Sequence, residues 1–260
     1  SIKISYSPNK SERESISKLI NNLDSSIALL QRKLEKMKNI KEILLNKMFV
    51  SGQAQFPEIR FKEFTNPWVQ KLLGDMGDIN GSTVDKVIRN EDIKCLMLNY
   101  MDVYNKKEIK KENLSFNSAT PWQIYTNNIL EGDVFITPSS ETKYELGFAK
   151  TSNVEILNGV YSYHLIRFRP KNIKIEKSYL DYLFDTQKYR TYFSINGQGA
   201  QRFTLSLSFF KNAIIYLPSL KEQERIIKLL KTLDSSIALL QRKIEKLENI
   251  KSTLLNKMFV

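Results

Sequence analysis

The sequence has little of what most catalytic sites are built from. Its single cysteine, Cys95, leaves no partner for an internal disulfide and fits a reducing compartment; inside an apolar run it is expected to be a small buried hydrophobe. The lone histidine, His164, gives a histidine triad or a zinc site almost nothing to build on, and its expected role is that of a packed or hydrogen-bonded strand residue. No G-x-x-x-x-G-K-[ST] loop is present, which removes the phosphate cradle of P-loop ATPases. Carboxylates are scattered. Glu141 and Glu145 around Lys143 come nearest to a nuclease cluster and fall short of one, and Asp133 in EGD reads as a turn residue. Asn66-Pro67-Trp68 has only a superficial likeness to an adenine-methyltransferase motif, lacking the second proline. No catalytic or metal-ligating residue is assigned, and the chain is read as a non-enzyme. There is no secretory apolar region and no run of membrane-spanning length, so the cytoplasm is the expected location and no membrane is expected as a partner.

What is abundant is positive charge, 40 Lys and Arg against 28 Asp and Glu over 260 residues, a net charge of +12 that invites a polyanion, nucleic acid first. The excess is uneven. Residues 1–50 carry ten basic and five acidic side chains, residues 218–260 nine and five, and residues 51–217 twenty-one and eighteen. The longest part is therefore the most nearly neutral, and any recognition there needs more than bulk charge.

The chain also repeats itself. Sliding it by 210 residues aligns Ile4–Val50 with Ile214–Val260 without a gap, and 31 of the 47 pairs are identical, including the whole of LDSSIALLQRK at 23–33 and 233–243. Each copy predicts one long helix, started by Pro8 or Pro218 and free of internal proline and glycine. Apolar residues step by four and three through Ile16, Ile20, Leu23, Ile27, Leu30, Leu34 and Met37, and again through Ile226, Leu230, Leu233, Ile237, Leu240, Ile244 and Leu247. That is the rhythm of a coiled-coil seam. Beyond it the seam is expected to shift to Ile250, Leu254 and Met258, loosening the supercoil. A narrow apolar stripe cannot bury itself, so each helix is expected to cover the other, antiparallel if the middle segment returns the chain to its starting side.

The middle differs. Short β-rich runs stand at 95–104, 133–138, 160–168 and 212–218, separated by turn signals at 79–81, 127–133, 157–159 and 196–199, with a helix expected from about Lys177 to Ser194. The expected architecture is α+β: a mixed α/β domain over 51–217, opening with a short linker near 51–58, flanked by helices over 1–50 and 218–260. Ile2–Tyr6 aligns with Asn212–Tyr216, the expected last strand of the middle domain, as though the chain opened with the final strand of a second such domain.

Three polar loops are candidate nucleic-acid contacts. The first is Gly81, Ser82 and Thr83, leading to Lys86 and Arg89. The second runs through Ser139, Ser140, Lys143 and Tyr144. The third holds Asn196, Gln198, Gln201 and Arg202 with Gly197 and Gly199. Gln and Asn pair bidentately with adenine, Arg with guanine, hydroxyls take phosphates or base edges, and glycines let backbone amides approach phosphate.

Taken together, PEIRFKEFTNPWVQKLLGD (57–75) followed by INGST, EGDVFITPSSET (131–142), NGQGAQRFTLS (196–206) and the helix with its P-x-x-x-E-Q-x-x-I opening (Pro218, Glu222, Gln223, Ile226) resemble the DNA-specificity subunits of type I restriction–modification enzymes, over essentially the whole chain. The first copy departs from the motif, with Arg13 where Gln223 stands in the second. The resemblance implies a target recognition domain that reads one half of a split double-stranded DNA target, and a helix pair that acts as a ruler and docks methyltransferase subunits. It implies no cofactor in this chain: S-adenosylmethionine belongs to the methyltransferase and ATP to a restriction subunit that joins through the complex. A complete subunit of the family has two recognition domains, so this chain is expected to bind one half-site unless two copies pair as a homodimer. The alternative is a coiled-coil adaptor whose middle domain binds protein.

Overall fold

The computed structural model describes residues 8–51, 54–171 and 173–258; the proposed strand at Ile2–Tyr6 lies outside them. In chain order the elements are α1 (Lys10–Lys47), β1 (Val69–Leu72), α2 (Leu73–Met76), β2 (Gly77–Gly81), β3 (Ile93–Leu98), α3 (Tyr100–Tyr104), β4 (Ser115–Ala119), α4 (Pro121–Thr126), β5 (Asn128–Ile129) and β6 (Val134–Ile136). There follow β7 (Ser139–Ser140), β8 (Ala149–Thr151), β9 (Ile156–Tyr161), β10 (Ile166–Pro170), α5 (Tyr179–Asp185), α6 (Gln187–Asn196), β11 (Phe203–Thr204), α7 (Leu207–Lys211), β12 (Ile214–Leu217) and α8 (Leu220–Met258). The fold is α+β, and it divides into two units: residues 1–44 with 228–260, and residues 45–227.

The first unit is the helix pair. Both helices begin two residues after their proline and are capped by equivalent side chains. Asn9 Oδ1 accepts from the Ser11 and Glu12 amides, and Ser219 Oγ accepts from the Glu222 amide. At 38 and 39 residues, each helix is about 57 Å long. Along α1 the residues withdrawn from solvent are Ile16, Ile20, Leu23, Ile27, Leu30, Leu34 and Met37; along α8 they include Leu230, Leu233, Ile237, Leu240, Ile244 and Leu247. Ile226 is buried within the other unit.

Two ion pairs fix direction and register. Lys41 Nζ meets Asp234 and Lys251 Nζ meets Asp24, both at 2.5 Å. Only antiparallel helices bring those positions together. The 210-residue repeat maps Lys41 onto Lys251 and Asp24 onto Asp234, so the two pairs are one interaction written twice about a pseudo-dyad. The same pairs correct the expected shift of the seam. Ile40 and Ile250 are exposed, and the half-buried Lys41 and Lys251 hold the next seam positions, so the four–three rhythm runs on to Leu44 and through Leu254 to Met258. A lysine can bury its stem while its ammonium reaches an aspartate at the edge, which suits it to a seam near water.

The second unit holds two four-stranded sheets, ordered β2-β10-β6-β8 and β4-β3-β9-β5, and two short ribbons, β1-β12 and β7-β11. The first sheet is antiparallel throughout; in the second only β3 and β9 run parallel. Leu98, Val103, Ile129, Phe135, Ile156, Tyr161 and Leu165 share a buried core. The β-rich run at 95–104 is strand only as far as Leu98. Asn99 and Asp102 form a capping box that turns its remainder into α3. The run at 160–168 is the end of β9, a turn, and β10. The helix expected from about Lys177 to Ser194 breaks at Thr186, which is extended at ψ 149°, and the freed amide of Gln187 donates to Asn46 Oδ1 at 2.7 Å.

Both ends of this unit are tied at the start of α8. Glu222, 1 % exposed, accepts a two-pronged ion pair from Arg60 at 2.7 and 2.8 Å and the indole N–H of Trp68 at 3.2 Å. Gln223 accepts from the Glu176 amide at 2.9 Å and donates to the Pro218 carbonyl at 3.0 Å. Trp68 also packs edge-on against Phe49, which touches Tyr179. The E-Q pair of the P-x-x-x-E-Q motif is thus a structural knot, and Trp68 of the Asn-Pro-Trp run is part of it. Removing one partner of a buried ion pair strands the other. Glu222→Ala is expected to cost about 3 kcal/mol and to lower Tm by roughly 6–12 °C. A Tm within one degree of the parent in a thermal scan would show that the knot holds nothing.

Candidate nucleic-acid interface

The three candidate loops differ in what they have free to offer. The first leaves β2 at Gly81. Ser82 donates to the Tyr161 carbonyl and accepts from the Val84 amide. Thr83 accepts from Gln123 Nε2 through its carbonyl at 2.9 Å and from Asn127 Nδ2 through its hydroxyl at 3.2 Å. These hydroxyls are committed to holding the loop. Arg89 forms a two-pronged pair with Asp85 at 2.7 and 3.0 Å, and that hydrogen bond raises its already high pKa. Lys86 is exposed and carries no ion pair among the described residues.

The second and third loops are one structure. Ser139 and Ser140 of β7 pair with Thr204 and Phe203 of β11. Arg202 donates to Ser139 Oγ through Nε at 3.2 Å and Nη2 at 3.1 Å, and the Lys143 ammonium lies 5.1 Å from the centre of the Phe203 ring. Ser140 donates to Glu145, which also accepts from the Tyr104 hydroxyl; the tyrosine bond first, with help from Thr142 and Ser140, lowers the pKa of Glu145. That carboxylate is a scaffold, whereas Tyr144 stands 79 % exposed. In the third loop Asn196 is bound back to the Tyr192 carbonyl, and Gln198 closes the turn with two backbone bonds to Thr204, at 3.1 and 2.8 Å. Gly199, at φ +125°, lies so close to the Arg202 carbonyl that a side chain would collide with it. Gln198, Gln201 and Arg202 are left exposed at the tip.

His164 lies in a turn that is tied to the first loop. It sits in the turn between β9 and β10 rather than in a strand, partly buried and packed against Tyr163 with ring centres 3.8 Å apart and planes tilted by 36°. The amide of Tyr163 donates to the Val84 carbonyl at 2.9 Å, which joins this turn to the Gly81 loop. Burial first, then the charges of Lys86 and Arg202, hold the imidazole below its ordinary pKa of 6.5. Near neutral pH it is therefore mainly an uncharged ring with one donor and one acceptor. The sequence marked Lys86 and Arg202 but missed His164, since the run VYSYHLIRF looked like one strand. It also missed Trp122 and Tyr125 of α4, which are 70 % and 74 % exposed beside Thr83. Thr120 caps that element and Pro121 opens it.

The chain combines a sheet domain, whose second and third polar loops close into one tip, with two long helices related by an internal repeat. The chain belongs to the type I restriction modification DNA specificity domain family, whose profile matches residues 65–249. It is 24 % identical to the type I restriction enzyme MjaVIII specificity subunit of Methanocaldococcus jannaschii, over 96 % of this chain and 59 % of that protein. The fold is similar to that of the HsdS subunit from Thermoanaerobacter tengcongensis (TM-score 0.66, 18 % identity, 98 % of this chain and 60 % of that one). It is also similar to the type I restriction–modification S subunit from M. genitalium (TM-score 0.53, 18 % identity, 98 % of this chain and 62 % of that one). The chain thus spans about 60 % of the length of these relatives. Among the described residues, no helix is long and apolar enough to cross a membrane.

His164 is the only histidine, so its titration can be followed without assignment. Its pKa by NMR is expected below 6.5, and Lys86→Ala and Arg202→Ala are each expected to raise it. A pKa that ignores both substitutions would mean that the two loops do not meet at this ring.

Proposed function

We propose that this chain is the non-catalytic reader of a type I restriction–modification assembly. Its sheet domain reads one half of a split duplex target, and its helix pair holds the methyltransferase subunits. The observation that carries the reading of DNA is the closure of the second and third loops into one tip, where β7 pairs with β11, Arg202 holds Ser139, and Gln198 and Gln201 stay exposed. Arginine and glutamine at a loop tip suit base edges in a major groove, and the free lysine suits a phosphate. Sequence preference then comes from the tip, and the salt-dependent part of the affinity from the cations. In this reading the methyl donor, S-adenosylmethionine, is held by the methyltransferase, and ATP by the restriction subunit.

Docking by the helix pair is supported by apolar side chains that the seam does not use. Leu29 is 67 % exposed and Ile40 38 %; their repeat mates Leu239 and Ile250 are 52 % and 39 % exposed. Leucine and isoleucine lie about three turns apart in each helix, and so on one face. The pseudo-dyad that relates the ion pairs relates these faces too, so the pair offers one apolar site twice, as two copies of one partner require.

Binding of Gln201→Ala/Arg202→Ala to the duplex that the assembly methylates is expected to fall by about tenfold or more, given roughly 1–3 kcal/mol per base-reading pair. Binding to a scrambled duplex should change far less, and equal losses on both would remove the tip from base reading. In native mass spectrometry with the methyltransferase, Leu29→Asp or Leu239→Asp should each leave one bound copy, and the double variant none. Two copies retained on the double variant would place docking elsewhere, and a chain that holds protein but never DNA would be the coiled-coil adaptor instead.

A further inference from the structure

A cleft of about 580 Å³ lies between α4 and the end of β2, and base reading by the loop tip leaves it without a role. Trp122 and Tyr125 form one wall, with ring centres 5.9 Å apart and planes tilted by 34°. Two large aromatic faces left in water on one helical turn mark a surface that something covers. They are also held in place. Thr120 and Gln123 form a capping box, Pro121 opens the helix, and the Gln123 and Asn127 amides bind Thr83. The ledge and the first candidate loop therefore make one frame.

The rest of the lining is polar. Asn128 Oδ1 accepts from Arg169 at 3.0 Å and Arg167 at 3.2 Å, which leaves its amide hydrogens as donors. Asn80 is exposed. At Gly81 no atom lies within 4 Å of where a side chain would begin, so a ligand can come close to the backbone. A protein side chain seeking an apolar pocket would leave these amides unmatched. A nucleobase would satisfy both walls, because every base has a flat face for stacking and an edge of donors and acceptors for amides.

We infer that this cleft receives one base unstacked from the recognised duplex, its face on Trp122 and Tyr125 and its edge against Asn80 and Asn128. The inference rests on the proposed reading of DNA by the neighbouring loops. The ledge would grip the target through a distortion of the helix, adding selectivity for steps that unstack easily.

Trp122 reports on its own state. The other tryptophan, Trp68, is buried against Glu222 and serves as a constant background. Saturating the full chain with its methylated duplex should quench Trp122 emission and shield it from acrylamide. Trp122→Ala/Tyr125→Ala should weaken that duplex by about tenfold. In a scan of abasic sites, one position should weaken the parent and leave the double variant indifferent. Unchanged emission and acrylamide access in a complex that does form, or an abasic scan that treats both proteins alike, would overturn the ledge while leaving loop reading intact. So would a variant that loses methyltransferase but not DNA. Failure of the parent chain to bind any duplex, alone or with methyltransferase, would remove the reading and the ledge together.

Discussion

Everything about the paired helices depends on one geometric debt. A helix of nearly forty residues with a stripe one side chain wide must have that stripe covered. The chain meets the debt with a second copy of the same helix, run the other way. Lys41–Asp234 and Lys251–Asp24 show the result: one ion pair, used twice. Partly exposed pairs such as these stabilise little, about 0–1 kcal/mol each. Their work is register, since a slide by one heptad would carry both lysines away from their partners. Keeping both pairs is a reason for the repeat to hold an aspartate at 24 and 234 and a lysine at 41 and 251, and the same constraint sets equal apolar faces at equal distances from the dyad.

The sheet domain is organised by a different device. The segment that leads into β1 and the segment that leads into α5 are both fastened at the opening turn of α8, where Glu222 collects Arg60 and Trp68 and Gln223 collects the Glu176 backbone. A buried carboxylate is stable only with such partners. Elsewhere the domain follows the same logic, as where Asp133 takes the Leu130 amide and a two-pronged pair from Arg169. Polar residues at the joints are consumed by the joints. That is why Ser82, Thr83, Ser140 and Arg89, all attractive as contacts by residue type, have internal partners, whereas Lys86, Gln198 and Gln201 do not spend their side chains that way.

The long helices, their antiparallel pairing and the mixed sheet domain were legible because each rests on a periodic or local signal. The seam was misread at one point for an instructive reason: hydropathy ranks Ile250 above Lys251, yet the seam follows spacing, and a lysine stem fits beside Asp24. Capping chemistry hid the change from strand to helix at Asn99, and tertiary support from Asn46 hid the break at Thr186. At the candidate interface the loops could be named, but not which of their side chains were free. His164 and Trp122 gain their meaning from segments far away in sequence, Lys86 with Arg202 for one and Thr83 for the other, and no local pattern carries that information.

The central claim is the pseudo-symmetric register of the helix pair, and cysteine cross-linking tests it most directly. With the buried Cys95 replaced by alanine, Asp24→Cys/Lys251→Cys and Lys41→Cys/Asp234→Cys should both close with a short bis-maleimide within a single chain, and to similar extents. Closure only between chains, or at positions one heptad away while both of these pairs stay open, would contradict the account.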